Sequence, residues 1–150
     1  MTAPAKKKVF ALFPNVSKRE STSIAIGIRE YLAGRDVVVV TEDEEAEQIG
    51  ALPISSVETD SIEMMISLGG DGTILRLVQK YSHLDVPIVG INLGSLGFMA
   101  DVPLTEIYPA LEDLLKKNFT VQDRLMMQGY GSNGEGCFAI NEIVFHRAKN

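Results

Sequence analysis

The chain of 150 residues contains one cysteine, Cys137, so it has no internal disulfide, and a reducing compartment is the simpler setting. It also lacks an excess of positive charge: 14 Lys and Arg stand against 20 Asp and Glu, a formal net charge of -6. A general nucleic-acid surface needs a basic footprint, so that class of partner is set aside. An anionic small ligand needs only a local positive site and stays open. No apolar run approaches the roughly 18–20 residues that span a bilayer. The amino terminus, MTAPAKKKVFALFPNV, has lysines before a short apolar run, but the run stops at Pro14 with no small-residue cleavage site. It reads as a first strand, and a cytoplasmic protein without membrane contact is expected. The first strand-to-helix turn, PNVSKRE, holds no glycine, so the dinucleotide-dehydrogenase fingerprint is missing where it would act, and there is no Walker lysine motif. Hydride-transfer and P-loop chemistry lose weight accordingly.

What is present is ordinary globular material, 45% hydrophobic and 23% charged, enough for one domain with a real core. Val9 to Phe13 forms an apolar strand. Ile24, Ile28, Tyr31 and Leu32 follow at helical spacing, with Gly34 as a natural stop. Val37 to Val40, four β-branched residues in a row, read as a buried parallel strand, and strand–helix–strand is a βαβ unit. The acidic stretch TEDEEAEQIGALPISSVETD reads as a solvated helix-and-loop connection. A metal site from Glu42, Asp43, Glu44 and Glu45 would need a convergence that consecutive residues rarely supply. Met64 to Leu68 and Pro87 to Asn92 are further buried strands. PLTEIYPALEDLLKKNF is a helix with Thr105 as N-cap, Pro109 in its first turn and Ile107, Ala110, Leu111, Leu114 and Leu115 on its apolar face. From about Thr120 the pattern alternates instead, and VQDRLMMQGYG, SNGEG and CFAINEIVFHR read as a β-hairpin.

The stretch MMISLGGDGTILRLV leaves a buried strand through Gly69 and Gly70, places Asp71, adds Gly72 and enters a helix whose stripe is Ile74, Leu75, Val78 and Tyr81. Open α/β sheets bind ligands at such carboxyl-end junctions. Two accounts fit. In one, the glycines make a tight turn with positive φ and Asp71 caps the helix. In the other, the glycines admit a polyanionic nucleotide to the backbone and the helix N-terminus favours its charge. Asp71 would repel a bare phosphate, so in that account it faces a hydroxyl or a metal-bound phosphate. His83 and His146 have no metal-ligand company and read as surface or packing residues.

Three segments together, SLGGDGTILR (67–76), GINLGSLGFMAD (90–101) and INEIVFHR (140–147), stand in the order and rough spacing of the NAD kinases, and the chain resembles that family from about Val9 to Arg147. Lipid kinases and phosphofructokinases share similar GGDGT turns. The lipid kinases, however, continue to a Gly-Thr-Gly-Asn turn where this chain has NLGSLGF. The resemblance implies transfer of the γ-phosphoryl of ATP, or of inorganic polyphosphate, to the 2′-hydroxyl of NAD's adenosine ribose, giving NADP, with Mg²⁺ or another divalent cation accompanying ATP. It implies Asp71 as general base, Gly70 and Gly72 as ligand-binding backbone and Arg76 as a phosphate contact. Phe98 falls near an adenine, and Asn141 with Glu142 holds dinucleotide. It also implies a homo-oligomer in the full-length protein. Family members continue well over a hundred residues past this point, with a second glycine-rich motif. The chain is therefore expected to be truncated, and activity of the 150 residues alone stays open.

The expected fold class is α/β: a Rossmann-like parallel sheet over residues 1–120 that binds nucleotide, then the first hairpin of an all-β domain over 121–150. A lipid- or sugar-kinase relative using the same turn, and a non-catalytic nucleotide-binding module, are the alternatives. Substrate competition separates the first from an NAD kinase, and binding without turnover identifies the second.

Overall fold

The computed structural model describes residues 6–94, 97, 99–100, 102–124, 126–130, 132–134 and 136–140. The chain divides into two compact units, Met1–Phe119 and Thr120–Asn150.

The first unit is an α/β layer structure around one parallel sheet. Its strands are β1 (Lys8–Pro14), β2 (Val37–Thr41), β3 (Leu52–Pro53), β4 (Ile62–Gly69), β5 (Ile88–Asn92) and β6 (Val102–Pro103), in the spatial order β3-β2-β1-β4-β5-β6. Each neighbouring pair is parallel, with Ala11 opposite Val40 on one side and Met65 on the other, and Leu68 opposite Ile91. The helices are α1 (Ser21–Ala33), α2 (Ala46–Ile49), α3 (Asp71–Lys80) and α4 (Ile107–Leu115). This is the Rossmann-like sheet that the apolar runs predict.

Strand periodicity sorts the core into two layers. Phe10, Leu12, Val39, Ile66 and Leu68 pack with Ala25, Ile28 and Leu32 of α1 and with Ile107, Leu111 and Leu114 of α4. Val9, Ala11, Phe13, Val40 and Met65 pack with Leu77 of α3 and with Tyr81. The alternation breaks once. Val9 pairs with Ile62 but Phe10 with Met64, so β4 carries an extra residue there. The bulge leaves Glu63 exposed and puts Ile62 in the α3 layer with Met65, although Met64 lies in the other.

Helix ends depart from the expected signals. Gly34 ends α1 with ordinary right-handed geometry (φ -67°), and the left-handed residue of that turn is Asp36 (φ 61°). Aspartate tolerates this region better than most residues, so the glycine at 34 is not what the turn required. Thr105 is not an N-cap. It lies inside a 3₁₀ turn, Leu104–Glu106, that leads into α4 without a side-chain cap. The buried stripe of α3 is Thr73, Ile74 and Leu77, with Leu75 and Val78 only partly covered. The acidic connection folds as 3₁₀ turns around α2, whose Ala46 and Ile49 are buried. β3 and β6, two residues each, gave no run long enough to read.

The second unit holds a hairpin, β7 (Met126–Tyr130) antiparallel to β8 (Gly136–Ile140), with Gly134 left-handed in the turn (φ 83°). Its first strand starts later than the alternation suggests, and residues 121–124 are exposed and irregular. Gly129, Gly131 and Gly134 have the G-x-G-x-x-G spacing, but Gly129 lies in β7 and Gly134 in the turn of this antiparallel hairpin, not at a strand-to-helix junction.

Gly90 in β5 lies where the loop carrying Ala100 packs closely on the strand. A Cβ there would lie 2.7 Å from Ala100 Cα and 2.8 Å from Ile74 Cδ1. Backbone on one side leaves little room to give. Gly90→Ala should therefore destabilise the chain by about 1–3 kcal/mol in urea unfolding. Unchanged stability would mean that the loop carrying Ala100 moves freely against β5.

Candidate functional site

From β1 the chain runs outward through β2 and β3, whereas β4 lies on the opposite side of β1. Loops leaving the carboxyl ends of β1 and β4 therefore part, and the crevice between them is the topological switch point of the sheet. A cleft of about 670 Å³ lies there, its walls including Pro14, Asn15, Lys18, Gly69, Gly70 and Gly72.

The loop after β1 needs no glycine because Asn15 shapes it. The Asn15 amide N–H donates to Leu68 O (2.8 Å), and its side-chain oxygen accepts from Ser17 N (3.1 Å) and Ser17 Oγ (2.7 Å). Across the crevice, Gly69 is required by close approach: a Cβ would collide with Thr73 Oγ1 and lie 3.1 Å from Asn15 Cβ. Gly70 is extended (φ -152°, ψ -165°), and neither Gly69 nor Gly70 has positive φ, which corrects the tight-turn expectation. Around Gly70 and Gly72 a Cβ would meet nothing within 4 Å, and both residues face the cleft. What these two glycines supply is room, not a special backbone conformation.

Asp71 is the first residue of α3, and its side chain is not the cap. Its Oδ1 accepts hydrogen bonds from the backbone N–H groups of Met99 and Ala100, both at 3.0 Å. A side chain at Gly97 would run into the same carboxylate. Asn92, buried at the end of β5, completes the stitching by donating through Nδ2 to Ala100 O (3.0 Å) and accepting from Gly94 N (2.8 Å). The loop after β5 is thus tied to the start of α3 by a charge-assisted pair of hydrogen bonds.

Arg76 and Lys80 lie one turn apart on α3 and line the cleft, where they share Glu42. Arg76 NH1 is 2.8 Å from Glu42 Oε1, and Lys80 Nζ pairs with Oε2. The Glu42 side chain is only 12% exposed, against 47% for Arg76 and 51% for Lys80. Burial alone would push the Glu42 carboxyl up, but the hydrogen bonds from Lys80 and Arg76 outweigh it and hold the group below its usual range. The same bond to Glu42 raises Lys80. Glu42 is therefore not part of a solvated connection, as its acidic neighbourhood suggested. Its position directly after the apolar run of β2 was the available signal.

A family model, the ATP-NAD kinase N-terminal domain, matches residues 10–119. An NAD kinase of Protochlamydia amoebophila is 49% identical over 142 residues, 95% of this chain and 51% of the relative. The chain belongs to the NAD kinase family. NAD kinases of Moorella thermoacetica (36% identical, 87% of this chain and 43% of the relative) and Natranaerobius thermophilus (39%, 77% and 42%) are similar as well. The chain spans about half the length of the curated relatives it matches.

Of the residues that the NAD kinase resemblance singled out, Gly70, Gly72 and Arg76 line the cleft, while Asp71, between the two glycines, turns its carboxylate to the loop after β5 and is not among the lining residues. Phe98, Asn141 and Glu142 lie outside the described residues, as does the rest of the INEIVFHR segment after Ile140. Lys18, Glu42, Thr73, Lys80 and Asn92, which sequence patterning passed over, also line the cleft.

The Glu42 network should be visible in acid. A carboxyl held low in the folded state contributes stability that is fully present above its unfolded value, about 4.3, and is lost as pH falls through the lower folded value. The stability gap between the unchanged chain and Glu42→Gln should be constant from about pH 6 to 8 and close below about pH 4. A gap that ignores pH across that range would mean the ion pairs do not persist in solution.

Proposed function

We propose that the protein works as an NAD kinase, moving the γ-phosphoryl of ATP, or a phosphoryl of inorganic polyphosphate, to the 2′-hydroxyl of NAD's adenosine ribose to form NADP. The observation that carries this reading is a carboxylate, Asp71, fixed between two glycines whose open faces line the switch-point cleft. The 49% identity to a protein named NAD kinase supports it.

A ribose hydroxyl is scarcely ionised near neutrality, so its attack on phosphorus is helped by a proton acceptor. In this reading the ribose oxygen forms the new P–O bond, the bond to the leaving phosphate breaks, and the hydroxyl proton passes to the Asp71 carboxylate. Two backbone N–H groups hold the carboxylate in place. Gly70 and Gly72 let the phosphate chain approach the backbone, and Arg76 meets its charge. Phe98 is assigned to the adenine, and Asn141 and Glu142 to the dinucleotide, through the family resemblance. Mg²⁺ carried on nucleotide phosphates needs only one or two protein carboxylates. Glu44 or Glu45 at the cleft would supply such a carboxylate, while no group of three or more metal-ligating side chains occurs among the described residues. Bound there, the ion would neutralise charge on the transferred group.

The test is a chimera in which residues 1–150 replace the matching half of the Protochlamydia relative. It should form NADP, and Asp71→Asn within it should lower kcat by about 10²–10⁴ while NAD still binds. Asp71→Asn keeps an oxygen for the Met99 and Ala100 amides, so its unfolding temperature should fall less than that of Asp71→Ala, which leaves both donors unpaired at a cost of about 1–3 kcal/mol. A folded chimera without NADP formation would refute the kinase reading. Turnover of Asp71→Asn within tenfold of its parent would refute Asp71 as base.

A further inference from the structure

The cleft carries three cations with unequal freedom. Arg76 and Lys80 are both engaged by Glu42, whereas Lys18, exposed on the loop after β1, makes no ion pair among the described residues. Glu42 sits deeper than either of its partners, with its carboxylate divided between them. Any anion that enters must either share these cations with a fixed negative charge or bind mainly through Lys18 and the open backbone at Gly70 and Gly72.

We propose that Glu42 sets the charge selectivity of this cleft: by holding Arg76 and Lys80 it lowers the affinity for phosphate chains, and lowers it most for the most highly charged. The inference deepens the proposed function in taking a phosphate chain as the ligand, but it is read from binding and not from turnover. The physical basis is additive. Each charge on the ligand feels the same nearby carboxylate, so the penalty grows with ligand charge and is reduced by salt. Arg76 has five N–H donors, and its guanidinium is half-exposed, so it can meet a ligand without first leaving Glu42. Glu42 therefore tunes affinity and does not block the site.

The experiment titrates the chain and its Glu42→Gln form with pyrophosphate, tripolyphosphate, ATP and adenosine at low salt. Glu42→Gln should tighten pyrophosphate about threefold and tripolyphosphate about tenfold, and leave uncharged adenosine unchanged. A gain for ATP matching that for tripolyphosphate assigns the site to a nucleotide's phosphate chain. A gain for pyrophosphate and tripolyphosphate without one for ATP assigns it to inorganic polyphosphate, and either result supports the proposal. Weaker anion binding by Glu42→Gln would make Glu42 a brace that orients the cations, and a change independent of ligand charge would remove the selectivity; both overturn the proposal. Should Glu42→Gln fail to fold, Lys18→Gln and Lys80→Gln give the same information. Loss of the unpaired Lys18 should cost several-fold more tripolyphosphate affinity than loss of the engaged Lys80, and the reverse order contradicts the proposal. Failure of the chimera to make NADP leaves these binding results intact, and failure here leaves the phosphoryl-transfer reading intact.

Discussion

Phe10, Leu12, Ile66 and Leu68 face one side of the sheet and Ala11, Phe13 and Met65 the other, each almost wholly buried. With helices on both faces, the long strands have no surface on which a charged side chain can sit cheaply. The few polar groups admitted, such as the hydroxyls of Ser67 and Thr41, are small and have no hydrogen-bond partner among the described residues. Chemistry is therefore confined to the strand ends. The order β3-β2-β1-β4-β5-β6 opens a crevice at the carboxyl edge, between the loops that leave β1 and β4.

Two carboxylates at that edge divide the work. Asp71 spends one oxygen on the backbone of the loop after β5, which fixes both the loop and the carboxylate. Glu42 spends both oxygens on cations of α3, which fixes Arg76 and Lys80 against the end of β2. Each is held by groups from a different element, so the crevice is built before a ligand arrives. Such preorganisation is what phosphoryl transfer asks of a protein, since positioning and charge neutralisation carry most of that chemistry.

Much of this was legible in the residues. The apolar runs located the four long strands because burial on both faces demands continuous hydrophobic sequence. The GGDGT turn marked one wall of the cleft because its residues are adjacent in the chain. What escaped notice depends on distant partners. Asp71 meets amides 28 and 29 residues away, and Lys80 meets Glu42 across 38, separations that no local pattern encodes. Gly69 was correctly singled out, but for the wrong reason: it makes room for Thr73 and Asn15 and has no unusual φ. Thr105 failed as an N-cap because an extra 3₁₀ turn precedes α4, whereas Gly34 does end α1, with the left-handed conformation of that turn taken by Asp36.

The central claim is that ligand meets this chain at the switch-point crevice. The most direct test is an amide-resolved NMR titration of the isotope-labelled chain with NAD and with ATP. Shifts should concentrate at Asn15, Gly70, Gly72 and Thr73, and reach Met99 and Ala100 through the Asp71 carboxylate. Shifts concentrated instead at the opposite edge, at Lys8, Val37, Ile62 and Ile88 where the strands begin, would contradict the account.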